Sequence, residues 1–582
     1  MPRRPEARRS TLLAVLALVS FALVATGTVQ GAGDSATRTA ARAWHAVFGD
    51  RPAPAYEERQ RVVVVLSAPS LADRVLAAEE PPGAEEQRRW TSEAEGAQQL
   101  LLAGLREREV HVRPVHVYTR TFNGFSAVVG PRALAELERA HGVAGVYPVR
   151  TVYPASPTAE TLAGGSSTAR ATNGAGISLP GFTGSGVTVA LLDSGVDRTH
   201  PFLRGRVLRG FDVVDGDRGV APEAKPTDPA VLEAHGTRMA GLIVGAGGPD
   251  GLQGAAPGAR ILPIRIMGWH ETADGGWAVL GRGDQLLAGL ERAVDPDGDG
   301  DAGDALPIAF VGGLQPYAAF ADSPETRAVA GAARLGTLVI APVGNDGRPG
   351  PGFGSVAAPA AASDALAVGA LDARPDVLQV GAEVRAGSDR VLDEPARILG
   401  DTGPQAPLRL DVATVLGPSL AAPERTAGEP ATGDELGDFF GTDGVSLVAG
   451  KAAHLAAGGG ALEPRVRNAA AAGAAAVLVS GASLPAGALA LDDGLAVPVV
   501  GIPAEAGREL VAAARAGETS VVDLSAAETL ANGALMEVAP FSSGGVAFDG
   551  RVKPDLVAPG VGLATGDPGG GGSYASVTGT SA

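Results

Sequence analysis

The stretch Gly186-Val187-Thr188-Val189-Ala190-Leu191-Leu192-Asp193-Ser194-Gly195-Val196-Asp197 is an apolar run that ends in a carboxylate at a glycine turn. Such a run reads as a buried parallel strand, which places Asp193 at the strand's C-terminal edge, where open α/β sheets keep their sites. Further along, Ala234-His235-Gly236-Thr237-Arg238-Met239-Ala240-Gly241-Leu242-Ile243 opens on a histidine and continues in small and apolar residues suited to a close-packed helix, with His235 at its start. Near the end stands Gly579-Thr580-Ser581, after Lys553-Pro554-Asp555-Leu556-Val557-Ala558-Pro559-Gly560. Singly these read as a turn, a helix cap and a polar loop. Together they supply the aspartate, histidine and serine of an activated nucleophile.

The order Asp193, His235, Ser581 with these flanks resembles the subtilisin-like serine proteases, as does Gly254-Ala255-Ala256-Pro257-Gly258-Ala259-Arg260-Ile261-Leu262-Pro263-Ile264-Arg265 between them. Ala341-Pro342-Val343-Gly344-Asn345-Asp346-Gly347 lies where that family carries its oxyanion asparagine, which makes Asn345 the matching residue. The resemblance implies an α/β fold of three layers, αβα, around a central parallel sheet. It also implies catalysis by Asp193, His235, Ser581 and Asn345, substrate contacts at Gly312, Gly313 and Gly344, and no cofactor for the chemistry. A serine hydroxyl is a poor nucleophile at neutral pH, so His235 must take its proton while Asp193 fixes the imidazole tautomer. One departure touches the substrate edge. Where the family runs Asn-hydrophobic-Ser-Leu-Gly, this chain has Ile308-Ala309-Phe310-Val311-Gly312-Gly313.

Residues 1–32 carry Arg3, Arg4, Arg8 and Arg9 before the apolar run Leu12 to Ala25, too short for a spanning helix, and read as an export signal. Residues 56–152 show the order βαββαβ: a strand at Arg61 to Leu66, a helix at Glu85 to Glu109, strands at Val110 to Tyr118 and Phe122 to Val129, a helix at Pro131 to His141, and a strand at Val143 to Tyr147. That is the ferredoxin-like plan. With Phe122-Asn123-Gly124-Phe125-Ser126-Ala127 and Gly142-Val143-Ala144-Gly145-Val146-Tyr147-Pro148, this segment resembles the inhibitory propeptide of the same family, an intramolecular inhibitor. Residues 153–178, rich in Ala, Ser, Thr and Gly, then read as the processing linker.

His235 and Ser581 are 346 residues apart, so the catalytic region divides into 179–371 and 539–582 around an insert at 372–538. Within the insert, Gly444 to Val448, Ala474 to Val479 and Val497 to Ile502 read as strands and Ala461 to Ala472 as a helix, while His454 reads as a surface residue. Arg467-Asn468-Ala469-Ala470-Ala471-Ala472-Gly473-Ala474 resembles the protease-associated (PA) domain that some subtilisin-like enzymes carry; it either shapes access to the cleft or contacts long substrates, or is a passive spacer. Asp295-Pro296-Asp297-Gly298-Asp299-Gly300-Asp301-Ala302-Gly303-Asp304 has hard oxygen donors at alternate positions. Asp295, Asp297, Asp299 and Asp301 suit a structural Ca2+, although EF-hand spacing is absent and a solvated acidic loop is the other reading.

A net charge of -18 and a pI near 5.0 exclude nucleic acid as a partner, and no apolar run after the signal is long enough to anchor the chain in a membrane. Without cysteine there are no disulfides and no lipid anchor on a thiol. The reading is therefore a secreted serine endopeptidase made as a zymogen and acting on polypeptides. Its rivals are a catalytically silent scaffold of the same fold and an exported inhibitor or chaperone acting through residues 60 to 150. In this family the nucleophile begins a long buried helix; here only Ala582 follows Ser581, and the expectation is a fragment lacking that helix.

Overall fold

The computed structural model describes residues 59–155 and 182–582, apart from 218, 273–275, 317–319, 348–354, 401, 458–461, 482–485, 487–496, 548 and 570. The expected signal at 1–32 and the linker from residue 156 to 178 lie outside the described residues.

The N-terminal domain is built on the strand Gln60–Leu66, whose run of four valines is buried throughout. Alternate side chains of a strand point to opposite faces, so a run buried at every position must have a core on each side. Val62 and Val64 face the domain's own helices Ala84–Glu107 and Pro131–Arg139, beside Leu105, Phe125 and Leu137. Val63 and Val65 face away, into a core shared with Leu286, Leu290 and Val329 from the helices Gly283–Val294 and Pro324–Arg334. The sheet order is Pro114–Tyr118, Gly124–Val129, Gln60–Leu66, Val143–Pro148, each neighbouring pair antiparallel, as the βαββαβ plan requires. A short helix, Leu71–Ala77, has no counterpart in the sequence reading; Ser70 and Asp73 form its capping box.

Seven parallel strands form the central sheet, in the order Leu556–Pro559, Ala365–Leu371, Leu338–Pro342, Ile308–Val311, Thr188–Asp193, Arg260–Arg265, Phe211–Asp212. Thr188–Asp193 lies inside the sheet and ends at the carboxylate, as its composition dictates. The helices His235–Val244, Gly283–Val294 and Pro324–Arg334 cover it.

Between Leu371 and Val538 the chain builds a separate eight-stranded sheet with its own two cores and the helices Leu462–Ala471 and Ala504–Ala516. The strand Asp376–Ala386 pairs with Asp389–Ile398 as well as with Ser520–Leu524, which closes the sheet on itself. The two ends of this segment meet: Met536 N–H donates to Asp372 O at 2.7 Å and Asp372 N–H to Glu537 O at 3.0 Å. Two local expectations are corrected here. Gly444 to Val448 is a turn, with Gly444 at φ +77° and its N–H donating to Gly441, and the neighbouring strand is instead the alanine-rich Ala452–Ala456. His454 on that strand is buried, its ring between the Thr414 and Ser480 hydroxyls at 3.0 and 2.9 Å.

Candidate active site

At the end of the Thr188–Asp193 strand the Asp193 side chain is fully buried, and its Oδ1 accepts the Ser194 N–H. The first turn of His235–Val244 packs against this turn because Gly236 has no side chain to hold it off: its N–H donates to Ser194 Oγ at 3.0 Å, and an added Cβ would meet the Ser194 and Gly195 carbonyls. His235 is thereby brought onto Asp193, with Nδ1 2.8 and 2.9 Å from the two carboxylate oxygens. On its other side Nε2 lies 3.1 Å from Ser581 Oγ. The three residues are 42 and 346 positions apart in the chain, yet form one buried hydrogen-bonded row. The carboxylate fixes the proton on Nδ1, which leaves Nε2 to accept from the serine hydroxyl.

Ser581 follows the hairpin Leu563–Asp567 and Ser573–Val577, anchored by Gly579 N–H donating to Gly560 O at 2.9 Å. Thr580 beside it organises Asn345. The Thr580 N–H and hydroxyl both donate to Asn345 Oδ1, at 3.0 and 3.1 Å, and the hydroxyl accepts Gly344 N–H at 3.2 Å. The amide oxygen is thus occupied, and among the described residues the amide nitrogen donates to nothing, which leaves it as a donor for a ligand. Gly344 sits at φ +107°, in the left-handed region that glycine adopts without strain.

Glu233 and Arg265 complete the support, and the motifs did not reveal them. Arg265 ends the strand beside Asp193 and is buried, with its guanidinium on Glu233 at 2.7 Å and Asp212 at 2.8 Å. Glu233 in turn accepts Gly195 N–H at 2.9 Å, which ties the loop after Asp193 to the segment leading into His235. Burial raises the Glu233 pKa while Arg265 opposes it; burial disfavours the Arg265 charge, but Glu233 and Asp212 override that and raise its pKa. The signal in the sequence was a lone arginine inside the apolar run Ile264 to Met267. Asp212, Asp215 and Glu223 lie close enough together to hold a metal, but Arg265 already supplies their cation.

Beyond the row, the strand Thr151–Pro154 runs antiparallel between Trp277–Arg282 and Gly313–Leu314. Ala155 N–H then donates to the Gly312 carbonyl at 3.0 Å. Gly312 packs onto the acid end of the row, where a Cβ would collide with the Asp193 carboxylate and stand 3.2 Å from His235 Cε1. Of the expected substrate residues, Gly312 and Gly313 therefore line a groove filled by the chain's own segment, and Gly344 lies beside Asn345. That strand crosses the boundary expected at residue 152.

The acidic loop differs in its arrangement from the expected ligand set. Asp295, Asp297 and Asp304 come within ligand distance of one another, whereas Asp299 and Asp301 face Arg88 of the N-terminal domain. Asp295 accepts from the backbone N–H groups of Gly298, Asp299 and Gly300 and from Arg120 Nε at 2.8 Å. Its oxygens are occupied by N–H donors, so the loop holds guanidinium groups in this state and the set does not fit an ion as it stands. Nearby, Glu291 accepts from the backbone N–H groups of Thr119, Arg120 and Thr121, a second grip on the N-terminal domain.

Residues 184–582 match the Subtilase family (Peptidase S8), and residues 61–155 match Peptidase inhibitor I9. The chain belongs to the subtilase family, and its fold is the subtilisin-like α/β fold preceded by an inhibitor I9 domain. It is similar to the Minor extracellular protease Vpr of Bacillus subtilis (strain 168), 30% identical over 411 residues, 69% of this chain and 44% of that protein. Thermitase of Thermoactinomyces vulgaris is 30% identical over 190 residues, 32% of this chain and 56% of its own. Among solved structures, fervidolysin from Fervidobacterium pennivorans aligns with a TM-score of 0.35 and 18% identity over 56% of this chain and 45% of that one. The chain spans about half the length of the curated relatives it matches. Subtilases need no cofactor for their chemistry. No helix among the described residues is long and apolar enough to cross a membrane.

Proposed function

We propose that this chain carries a secreted serine endopeptidase made as a zymogen. Ser581 Oγ attacks the carbonyl carbon of the scissile bond as its proton passes to His235 Nε2, and Asp193 stabilises the imidazolium. The oxyanion is held by the Asn345 amide and the Ser581 backbone N–H. When the C–N bond breaks, His235 gives the proton to the leaving amine. Water then hydrolyses the ester through the same histidine, which restores the serine. The hydrogen-bonded row Asp193–His235–Ser581 carries this reading. Residues 60–155 act as the intramolecular inhibitor, since their last strand occupies the groove where a substrate strand would add by backbone hydrogen bonds.

Export is supported by the extracellular relative and the N-terminal signal pattern. The segment 372–538, which has its own sheet and cores, is read as a PA-type module that shapes access to the cleft or contacts long substrates. A Ca2+ at the acidic loop would take Asp295, Asp297 and Asp304 and would have to displace Arg120 from Asp295. A fluorophosphonate probe tests the chemistry. Labelling of the wild type that disappears in Ser581→Ala supports it, and absence of labelling in a folded chain freed of residues 60–155 shows a silent scaffold instead.

A further inference from the structure

The segment 372–538 is rooted two hydrogen bonds away from the nucleophile turn. Leu371, the last residue of the strand before that segment, accepts the Gly560 N–H at 3.0 Å, and Gly560 in turn accepts the Gly579 N–H at 2.9 Å. Ser581 stands two residues further on. Next to Gly560, Val561 is buried in a small core with Ala370, Ala539 and Phe541, which flank the root on both sides.

A side chain makes a second connection. Asp372 is 2% exposed and holds Arg374 with both carboxylate oxygens, Nε donating to Oδ1 at 2.8 Å and Nη2 to Oδ2 at 2.6 Å. Such a paired hold fixes the plane of a guanidinium as well as its position. The far end of the segment closes on the same residues: Asn532 Nδ2 donates to Arg374 O at 2.9 Å and Asn532 N–H to Pro375 O at 2.8 Å. Held in this way, the Arg374 side chain lies over Gly562, where an added Cβ would stand 3.1 Å from its Cδ and 3.3 Å from its Nη1. Gly562 is at φ +65°, and its N–H donates to Thr578 Oγ1 at 3.0 Å.

Thr578 and Gly579, consecutive residues of the turn that ends at Ser581, are therefore held by Gly562 and Gly560, and both glycines rest on the root of the segment. Ser581 Oγ lies 3.1 Å from His235 Nε2, a separation that proton transfer needs held to within about 0.5 Å. The histidine side of that bond is set elsewhere, by Gly236 against Ser194. A shift at Arg374 thus moves the serine relative to its base.

We propose that Arg374 is a positioning residue for the nucleophile, so that the inserted segment acts on the chemical step through its root. The guanidinium touches no reacting atom; it acts through Gly562 and Thr578. The inference rests on the endopeptidase reading above.

The full chain is expressed and assayed after release of residues 60–155, with three readouts: the rate of fluorophosphonate labelling per folded molecule, kcat and KM on a peptide p-nitroanilide, and the urea midpoint. Arg374→Ala should lower the labelling rate and kcat by about tenfold or more, with KM within about twofold. Because that change strands the buried Asp372, the double variant Asp372→Asn/Arg374→Ala is measured beside it; it should keep the loss of kcat while losing less in urea midpoint. Arg374→Lys, whose stem still covers Gly562 and whose ammonium still meets Asp372, should recover most of the rate. Arg409→Ala, which removes an exposed arginine paired with Asp523 on the insert's own sheet, should leave labelling and kcat unchanged. Wild-type labelling and kcat in the double variant, or a rise in KM alone, overturns the proposal and leaves the endopeptidase reading standing. A folded wild type that is not labelled overturns both.

Discussion

Replacing Arg265 with methionine removes one cation from the centre of four carboxylates, and the structure says which of them matter. Asp215 and Glu223 keep 55% and 51% of their side-chain surface exposed, so water and salt already screen them. Asp212 and Glu233 have side-chain exposures of 1% and 0% and would be left buried without their partner. Removing one member of a buried pair costs about 3 to 5 kcal/mol. Glu233 escapes part of this by taking up a proton, since burial already raises its pKa, and that keeps the loss within the same range. Against a total margin of about 5 to 15 kcal/mol, Arg265→Met should be a severe but measurable defect. Urea unfolding of the full chain, followed by tryptophan fluorescence, gives the free energy. Adding Glu233→Gln to the methionine variant should recover part of the loss, because one stranded charge is gone while a donor and acceptor remain. A loss below about 1 kcal/mol for the single variant would refute the assignment of these carboxylates as buried and charged.

Other outcomes follow from the same geometry. Asn345→Ala should lower kcat by about 100- to 1,000-fold with KM little changed, a magnitude that comes from subtilisin itself, whereas Thr580→Val, which keeps only the backbone donor to Asn345, should cost less. His454 is held neutral by burial, with its pKa lowered from 6.5 to about 4. The unfolded chain therefore takes up this proton first, so the histidine's stability contribution is intact above pH 6.5 and falls by up to about 3 kcal/mol as the pH drops to 4. Urea midpoints at several pH values should show His454→Gln flattening that slope. Arg88→Glu should speed the loss of the cleaved N-terminal domain a few-fold on size exclusion, an effect that shrinks in about 1 M salt.

The parts of this molecule legible in sequence were those set by short spacing. The apolar run into Asp193, the small residues after His235 and the βαββαβ rhythm are local patterns, and the structure carries each of them. Apart from the catalytic set, whose members each carry a motif, contacts made across hundreds of residues were not legible. The grip of Glu291 on the backbone of residues 119–121, the pairing of Arg88 with the acidic loop and the register of Thr151–Pro154 depend on how two domains meet. The loop's alternating aspartates suit calcium and guanidinium equally well as a composition; only the position of Arg120 and Arg88 distinguishes the two. Ala452–Ala456 was missed because alanine is a poor strand former, and with it the burial of His454.

The closure of the insert at Asp372 and Glu537 bears on how the chain reaches its native state. The strand Leu556–Pro559 must find Ala365–Leu371 across the whole intervening segment, and a flexible tether of that length would make the search slow. Once the insert has folded, its two ends are a hydrogen bond apart, so only residues 538–555 remain as the connection between the junction and the sheet's last strand. A folded insert thus replaces a tether of more than a hundred residues by a junction closed with two backbone hydrogen bonds.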